Sequence, residues 1–170
     1  MGRQTGKDNP DGLAAIAKAS REHKRLENIV IRRLQAGDAD DIARIWEAIT
    51  KEPSTTEYRD VVAQEAEKDD RVSFVAELDD KVVGYMIAYI IHGGFGLQKS
   101  AWLAVFGIEP RYMGEGIGQR LASKIFDVLQ AMDIRNIFTS VRWDSTDLLS
   151  FFKSLGFDRC EFINLKKVID

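Results

Sequence analysis

The chain contains few of the residues that form disulfides or metal sites. Cys160 is the only cysteine in 170 residues, and the two histidines, His23 and His92, lie far apart. A single cysteine excludes an intrachain disulfide, and it completes no zinc-ligand spacing. The sequence therefore predicts a protein without a metal, suited to a reducing cytoplasm.

Long apolar runs are also missing. The longest one, residues 82–91, has ten residues, which is too short to span a bilayer. No N-terminal stretch has the pattern of a secretory signal. We therefore expect no membrane association and a cytoplasmic location. The apolar fraction of 45% and the charged fraction of 30% are typical of a globular protein.

The small net charge of −3 conceals an asymmetry. Residues 1–26 hold six Lys or Arg against three Asp or Glu, a charge of +3, which leaves −6 for the remainder. An acidic folded part disfavours generic binding of nucleic acid. We interpret residues 1–26 as an N-terminal extension, disordered or a short helix, and residues 27–170 as a single domain.

Apolar periodicity predicts ten elements from residue 27 onward, in the order β-α-α-β-β-β-α-β-α-β. The second helix is expected to start at Pro53-Ser54, and the segment 157–169 to form a closing strand. This order indicates an α/β (α+β) fold. We expect one mixed, mostly antiparallel sheet of six to seven strands, with helices on both faces.

A glycine turn stands between a strand and a helix. The strand Ala104–Ile108 is followed by Gly114, Gly116 and Gly118, and then by an amphipathic run over 119–132. Glycines let the backbone approach a ligand closely, and the first N–H groups of a helix bind phosphate. A Walker A loop would need Lys and Ser or Thr where Gln119 and Arg120 stand. The glycine spacing and its late position also fail to match a Rossmann turn.

These residues resemble a known family. Pro110 and Tyr112, then Gly114-x-Gly116-Ile117-Gly118, are similar to the acyl-CoA-binding motif of the GNAT superfamily of N-acetyltransferases. The segment 144–157, which ends in Leu-Gly-Phe, resembles the last helix of that family. The resemblance covers about 140 residues in matching element order.

The resemblance implies a GNAT-like fold and transfer of an acetyl group from acetyl-CoA to a primary amine by direct attack. The acceptor would be a small cationic amine or the N-terminus of a protein or peptide. Dimers are common in the superfamily, so a homodimer is possible. The alternative is a catalytically weak or inactive acyl-CoA-binding sensor or assembly protein.

The resemblance also implies which residues contact coenzyme A. Backbone amides from Met113 to Gly118 would hold the pyrophosphate, and the Phe106 amide would polarise the thioester carbonyl. The full cofactor-binding set is Phe106, Gly107, Ile108, Met113, Gly114, Glu115, Gly116, Ile117, Gly118, Ser145, Leu148, Phe151 and Phe152.

Several positions depart from the family pattern. Met113 and Glu115 stand where basic or polar residues are common, and Arg120 or Lys124 either compensates or belongs to a solvated helix face. Phe152 stands at the usual tyrosine position and has no proton to donate. It either packs in the core or borders the sulfur of coenzyme A.

Other candidates keep two interpretations. Ser145 contacts the cofactor or caps the last helix. His92 is a candidate catalytic base or an exposed loop residue. Glu109, at the end of the strand, is expected in solvent.

The acceptor side is also open to two interpretations. The acidic face of the second helix, with Glu57, Asp60, Glu65, Glu67, Asp69 and Asp70, attracts a cationic acceptor or is merely solvated. The tyrosines at 58, 85 and 89 line an acceptor pocket or pack in the core.

Overall fold

The structure is a computed structural model that describes residues 27–68, 72–94 and 96–169. The predicted extension over 1–26 lies outside these residues, so the division of the chain at residue 26 stays a prediction. The elements are β1 (Val30–Arg33), α1 (Ala39–Thr50), α2 (Thr56–Ala66), β2 (Phe74–Leu78), β3 (Lys81–His92), β4 (Lys99–Ile108), α3 (Ile117–Ala131), β5 (Ile137–Thr139) and α4 (Thr146–Ser154).

The strands form one sheet in the order β1-β2-β3-β4-β5. The pairings from β1 to β4 are antiparallel, and β5 runs parallel to β4. The mixed, mostly antiparallel sheet is thus confirmed, but six to seven strands is wrong, because the described residues form five. The segment 157–169 was predicted to be a strand, yet residues 158–169 are exposed and the segment joins no strand of the sheet. Alternation specifies a strand only where a partner edge is available, and β5 offers three residues.

The two faces of the sheet carry different helices. On one face, the α1–α2 face, Ile42, Ile45 and Val62 pack with Val75 and Tyr85. The opposite face, the α3–α4 face, carries the larger core. Its buried residues include Phe74, Met86, Ala88, Leu103, Leu121, Ile125 and Phe152. Apolar stripes repeating at helical spacing on α1 and α3 supply these contacts, as their periodicity predicts.

The helix α2 differs from its prediction in its start and in its acidic face. It begins at Thr56, because the Thr55 hydroxyl oxygen accepts a hydrogen bond of 3.1 Å from the Tyr58 amide as an N-cap. The acidic face was predicted to include Glu65, but this side chain is buried and forms an ion pair with Lys68. Residues 69 and 70 lie outside the described residues.

A β-bulge in β4 reverses which side chains face each helix layer. Ile87 pairs with Val105 and Ala88 pairs with Leu103, so Ala104 has no partner on β3. Before the bulge, Leu103 faces the α3–α4 core, whereas after it Val105 packs on the α1–α2 face. A bulge has this effect because its extra residue shifts the strand alternation by one. Phe106 is thereby turned toward α3 and α4.

In the described part of the chain, no helix combines the length and apolar character needed to cross a membrane.

Candidate active site

A gap opens between β4 and β5 beyond their short paired region. Only the residues Ala101–Leu103 of β4 pair with β5, and the last pair is reinforced by a 2.9 Å hydrogen bond from the Thr139 hydroxyl to the Leu103 carbonyl. From Ala104 to Ile108 the edge of β4 toward β5 has no strand partner among the described residues. An open strand edge can accept an extended amide-containing ligand.

The backbone of Phe106 faces this gap. In a strand, a residue's side-chain face fixes the edge toward which its own N–H and C=O point. The Ala101 amide donates to Asn136 on the β5 side, and the Ala101 side chain lies in the α3–α4 core. Phe106 also packs against that core, so its N–H and C=O point into the gap. Without the bulge at Ala104, they would point toward β3.

The glycine turn leads from the gap to α3. Gly114 and Gly116 have φ values of +84° and +76°, which only glycine adopts without strain. Gly116 is the N-cap of α3. The six backbone amides from Gly114 to Gln119 donate to no acceptor among the described residues. Unpaired amides at a helix N-terminus are groups that can bind an anion.

Met113 does not belong to this set of free amides. Its N–H donates to the Pro110 carbonyl at 3.3 Å within a short 3₁₀ turn, Pro110–Tyr112. The Met113 amide therefore has an acceptor within the protein, and its predicted contact with a phosphate stays a prediction. The predicted phosphate contacts of the amides from Gly114 to Gly118 also stay predictions, and the Gln119 amide is likewise without an acceptor among the described residues.

No side chain of the turn itself carries a positive charge. Met113 is uncharged, Glu115 is acidic, and both are exposed. The guanidinium of Arg120 donates to the Ile29 carbonyl at 2.5 Å. Lys124 and Arg120 line a shallow recess with Ile31, Ser123 and Asp127. Their expected compensation at the turn thus stays a prediction.

Glu109 connects α1 to the start of the turn. Its carboxylate pairs with Arg44 at 3.1 Å and with Arg111 at 2.5 Å, and its side chain is only 13% exposed. The expectation of a solvated Glu109 is wrong. Arg44 also donates to the Val82 carbonyl, so one guanidinium joins α1, β3 and the end of β4. Sequence reasoning missed this contact because its residues are far apart in the chain.

An aromatic cluster covers the α3–α4 side of the gap. The Phe106 ring stacks on Phe151 at 5.3 Å and meets Phe152 edge-on at 5.4 Å. Phe152 is 4% exposed, which establishes its core packing. A Cβ on Gly118 would lie 2.9 Å from the Phe151 ring, so glycine at this position lets α4 pack against α3.

The start of α4 corrects one interpretation. Ser145 occupies the N-cap position, but its side chain makes no capping hydrogen bond. Asp144 pairs instead with Arg142, and this hydrogen-bonded guanidinium lowers the pKa of the Asp144 carboxyl. Leu148 lies exposed on α4. Contacts of Ser145 and Leu148 with a cofactor stay predictions.

His92 is not brought to the gap. It is exposed at the last position of β3 and pairs with Lys99, at the opposite end of β4 from Phe106. Phe106 pairs with Met86, six residues earlier on β3, a separation of roughly 20 Å along the strand. The structure therefore gives no support to His92 as the base.

Two of the three tyrosines, Tyr58 and Tyr85, are in contact through their hydroxyls, whereas Tyr89 contacts Lys68. The Tyr58 and Tyr85 hydroxyl oxygens lie 3.2 Å apart on the α1–α2 face. Burial raises the pKa of both phenols, and Tyr85 is only 1% exposed. Tyr89 lies further along β3, with the Lys68 ammonium 4.5 Å from its ring centre. Sequence reasoning named these tyrosines but not the pair.

No group of three His, Cys, Asp or Glu side chains suited to a metal ion occurs among the described residues. The groups that the structure brings together around Phe106 are backbone amides, aromatic rings and phenols.

Comparison with known proteins agrees with this geometry. The model of the acetyltransferase (GNAT) family matches residues 39–157, more than half of the chain. The chain therefore belongs to the acetyltransferase (GNAT) family. The resemblance seen in the sequence is confirmed.

Curated relatives cover the chain to different extents. N-alpha-acetyltransferase 30 of Schizosaccharomyces pombe is 31% identical over 121 residues, which are 70% of this chain and 77% of that protein. Mycothiol acetyltransferase of Renibacterium salmoninarum is 32% identical over 92 residues, 53% of this chain. The match spans only 27% of that second relative's length.

Among solved structures, aminoglycoside N-acetyltransferase AAC(6')-Iy in complex with CoA superposes with a TM-score of 0.71. It is 15% identical, and the match covers 83% of this chain and 95% of that chain. At this identity the likeness establishes the shared fold.

Proposed function

We propose that this protein transfers an acetyl group from acetyl-CoA to a primary amine by direct attack, without a covalent enzyme intermediate. The observation that carries the proposal is the row of six free amides, Gly114 to Gln119, adjoining the open edge of β4. A diphosphate needs such donors at a helix N-terminus, and an extended amide-bearing arm needs such an edge.

The residues present fit coenzyme A. The amides of the glycine turn would hold its pyrophosphate, and the edge from Phe106 to Ile108 would pair with its amide arm. Two glycines with positive φ leave space for phosphate oxygens close to the backbone. When bound, acetyl-CoA supplies an acetyl group activated as a thioester.

The Phe106 amide has the direction needed to polarise a carbonyl in the gap. A preorganised backbone N–H acts there as an oxyanion-type donor. Phe152 donates no proton, and a thiol of ordinary pKa can leave as thiolate near neutral pH. Catalysis by this site would rest on positioning and carbonyl polarisation. The attacking amine must lose a proton, which solvent can receive.

Calorimetric titration with acetyl-CoA and a thiol-release assay test the proposal together. We expect acetyl-CoA to bind and thiol to appear with at least one primary amine among phenethylamine, spermidine, sisomicin and the peptide Met-Ala-Ala amide. Absence of acetyl-CoA binding would contradict the proposal at its first step. Mass spectrometry of the product should show one acetyl group added to the amine.

A second candidate is an acyl-CoA-binding protein with little or no catalysis. Phe152, with no proton to donate, and the distance of His92 from the gap favour it. Binding of acetyl-CoA without thiol release from any amine would support this candidate. Turnover of one amine above the rate of acetyl-CoA hydrolysis would exclude it.

A further inference from the structure

The α1–α2 face has a small polar centre, formed by the Tyr58 and Tyr85 hydroxyls, on the side of β4 opposite the aromatic cluster. A Cβ on Gly107 would lie 2.8 Å from Cε1 and 3.1 Å from Cζ of Tyr85, and 3.0 Å from Cδ1 of Ile49. The hydroxyl-bearing end of Tyr85 therefore lies against the backbone next to Phe106. It reaches this position from the side opposite the aromatic cluster.

The half-buried Tyr58 continues this centre toward the surface. Its hydroxyl meets that of Tyr85 at 3.2 Å, and its ring lies 5.4 Å from that of Trp46. Trp46 and Ile49 are one helical turn apart on α1, with Ile49 39% exposed. The phenol pair is therefore bordered by two large apolar side chains.

The phenol pair has unused hydrogen-bonding capacity. Two hydroxyls carry two protons and four acceptor positions, and their mutual bond uses one of each. Among the described residues, no other side chain or backbone group bonds either hydroxyl. Because burial raises both pKa values, the two phenols are neutral near pH 7. The pair can thus accept from an N–H group without competing charge.

We propose that the Tyr58–Tyr85 pair binds the amino group of the acceptor, and that Trp46 and Ile49 contact an apolar group beside that amino group. The Tyr58 phenol oxygen accepts a hydrogen bond from an N–H group of the amine, which leaves the nitrogen lone pair free to attack. Tyr58 would touch the acceptor, whereas Tyr85 is a positioning residue that orients the Tyr58 hydroxyl. This assignment of the acceptor site rests on the proposed acetyl transfer.

Tyr58→Phe removes one hydroxyl and keeps the ring against Trp46. With the Met-Ala-Ala amide and phenethylamine as probes, we expect KM for the amine to rise about tenfold, while KM for acetyl-CoA stays unchanged. Tyr85→Phe should raise the amine KM several-fold, and the double variant should add little to Tyr58→Phe. The matched control is Ser123→Ala, a hydroxyl deletion at an exposed position of α3 on the opposite face of the sheet, which should change neither KM.

Each outcome decides a different claim. If the wild type turns over amines and Tyr58→Phe has the same amine KM, the acceptor assignment is wrong and the transferase function stands. A preference for spermidine or sisomicin over both apolar amines would also overturn the assignment. If the wild type binds acetyl-CoA but none of the tested amines causes thiol release, the acceptor site and the transferase proposal both fail. Circular dichroism and melting temperature verify that each variant is folded.

Discussion

The two faces of the sheet at Phe106 are built in different ways. On the α3–α4 face, glycines and backbone amides form the site, and phenylalanines close it. On the α1–α2 face, buried phenols and an arginine–glutamate contact form it from side chains. A ligand common to a whole family can be held by backbone, whereas a particular acceptor requires particular side chains. Under the proposed function, the α3–α4 face would hold the coenzyme and the α1–α2 face would hold the acceptor.

The backbone of Gly107 in β4 lies against Tyr85 and Ile49 of the α1–α2 face. Its substitution should have the largest effect, a loss of stability. In Gly107→Ala the new methyl group would overlap the buried Tyr85 ring and Ile49. We expect the free energy of unfolding to fall by about 3 kcal/mol. The melting temperature should then drop by roughly 6–12 °C. Gly37→Ala, where the Cβ meets nothing within 4 Å, is the control. Equal melting curves for the two variants would mean that the contact between the faces is loose.

The backbone character of the α3–α4 site is tested by Gly116→Ala. Its φ of +76° is strained for alanine, so the turn should rearrange and its amides lose their common direction. We expect Kd for acetyl-CoA to rise about tenfold in a calorimetric titration. Gly96→Ala carries the same strain at φ +71° in the β3–β4 loop and should leave Kd unchanged. Equal losses in both variants would point to a general effect on folding.

Phe152→Tyr restores a phenol at the family's usual position. Because Phe152 is 4% exposed among Phe106, Phe151 and Phe157, the hydroxyl would be buried in an apolar cluster. We expect the free energy of unfolding to fall by about 1–2 kcal/mol and kcat to stay within twofold of the wild type. A large increase in kcat would show that leaving-group protonation limits the reaction and that the hydroxyl reaches the gap.

Glu115→Gln should have the smallest effect. The exposed carboxylate lies inside the glycine turn, where it would repel the diphosphate of the proposed coenzyme. Its removal should lower Kd for acetyl-CoA about threefold at low salt, and the difference should shrink as ionic strength rises. Glu161→Gln, an exposed acid in the C-terminal segment, is the control. A salt-independent gain would argue against an electrostatic origin.

The sequence predicts one face better than the other for a physical reason. Local patterns such as glycine spacing and apolar periodicity specify the turn and α3, so both are predicted correctly. The bulge at Ala104 depends on pairing with β3 and has no local signal in the sequence. The Tyr58–Tyr85 contact joins residues 27 positions apart and depends on how α2 docks.

The wrong predictions have related causes. Glu65 was predicted on an acidic helix face and Glu109 in solvent, yet Glu65 is buried beside Lys68 and Glu109 is only 13% exposed beside Arg44. The sixth strand was expected from alternation in 157–169, which carries no information about the partner edge. Each of these errors depends on how segments distant in sequence pack together, although the Glu65–Lys68 ion pair itself joins residues three apart.

Hydrogen exchange on the free and acetyl-CoA-bound protein tests the central claim most directly. The amides from Gly114 to Gln119 have no acceptor among the described residues of the free protein and should exchange rapidly. With saturating acetyl-CoA we predict strong protection of these amides and of Phe106 and Ile108, with little change in α1 and α2. Binding of acetyl-CoA without protection of the glycine turn, or with protection confined to α1 and α2, would contradict the account.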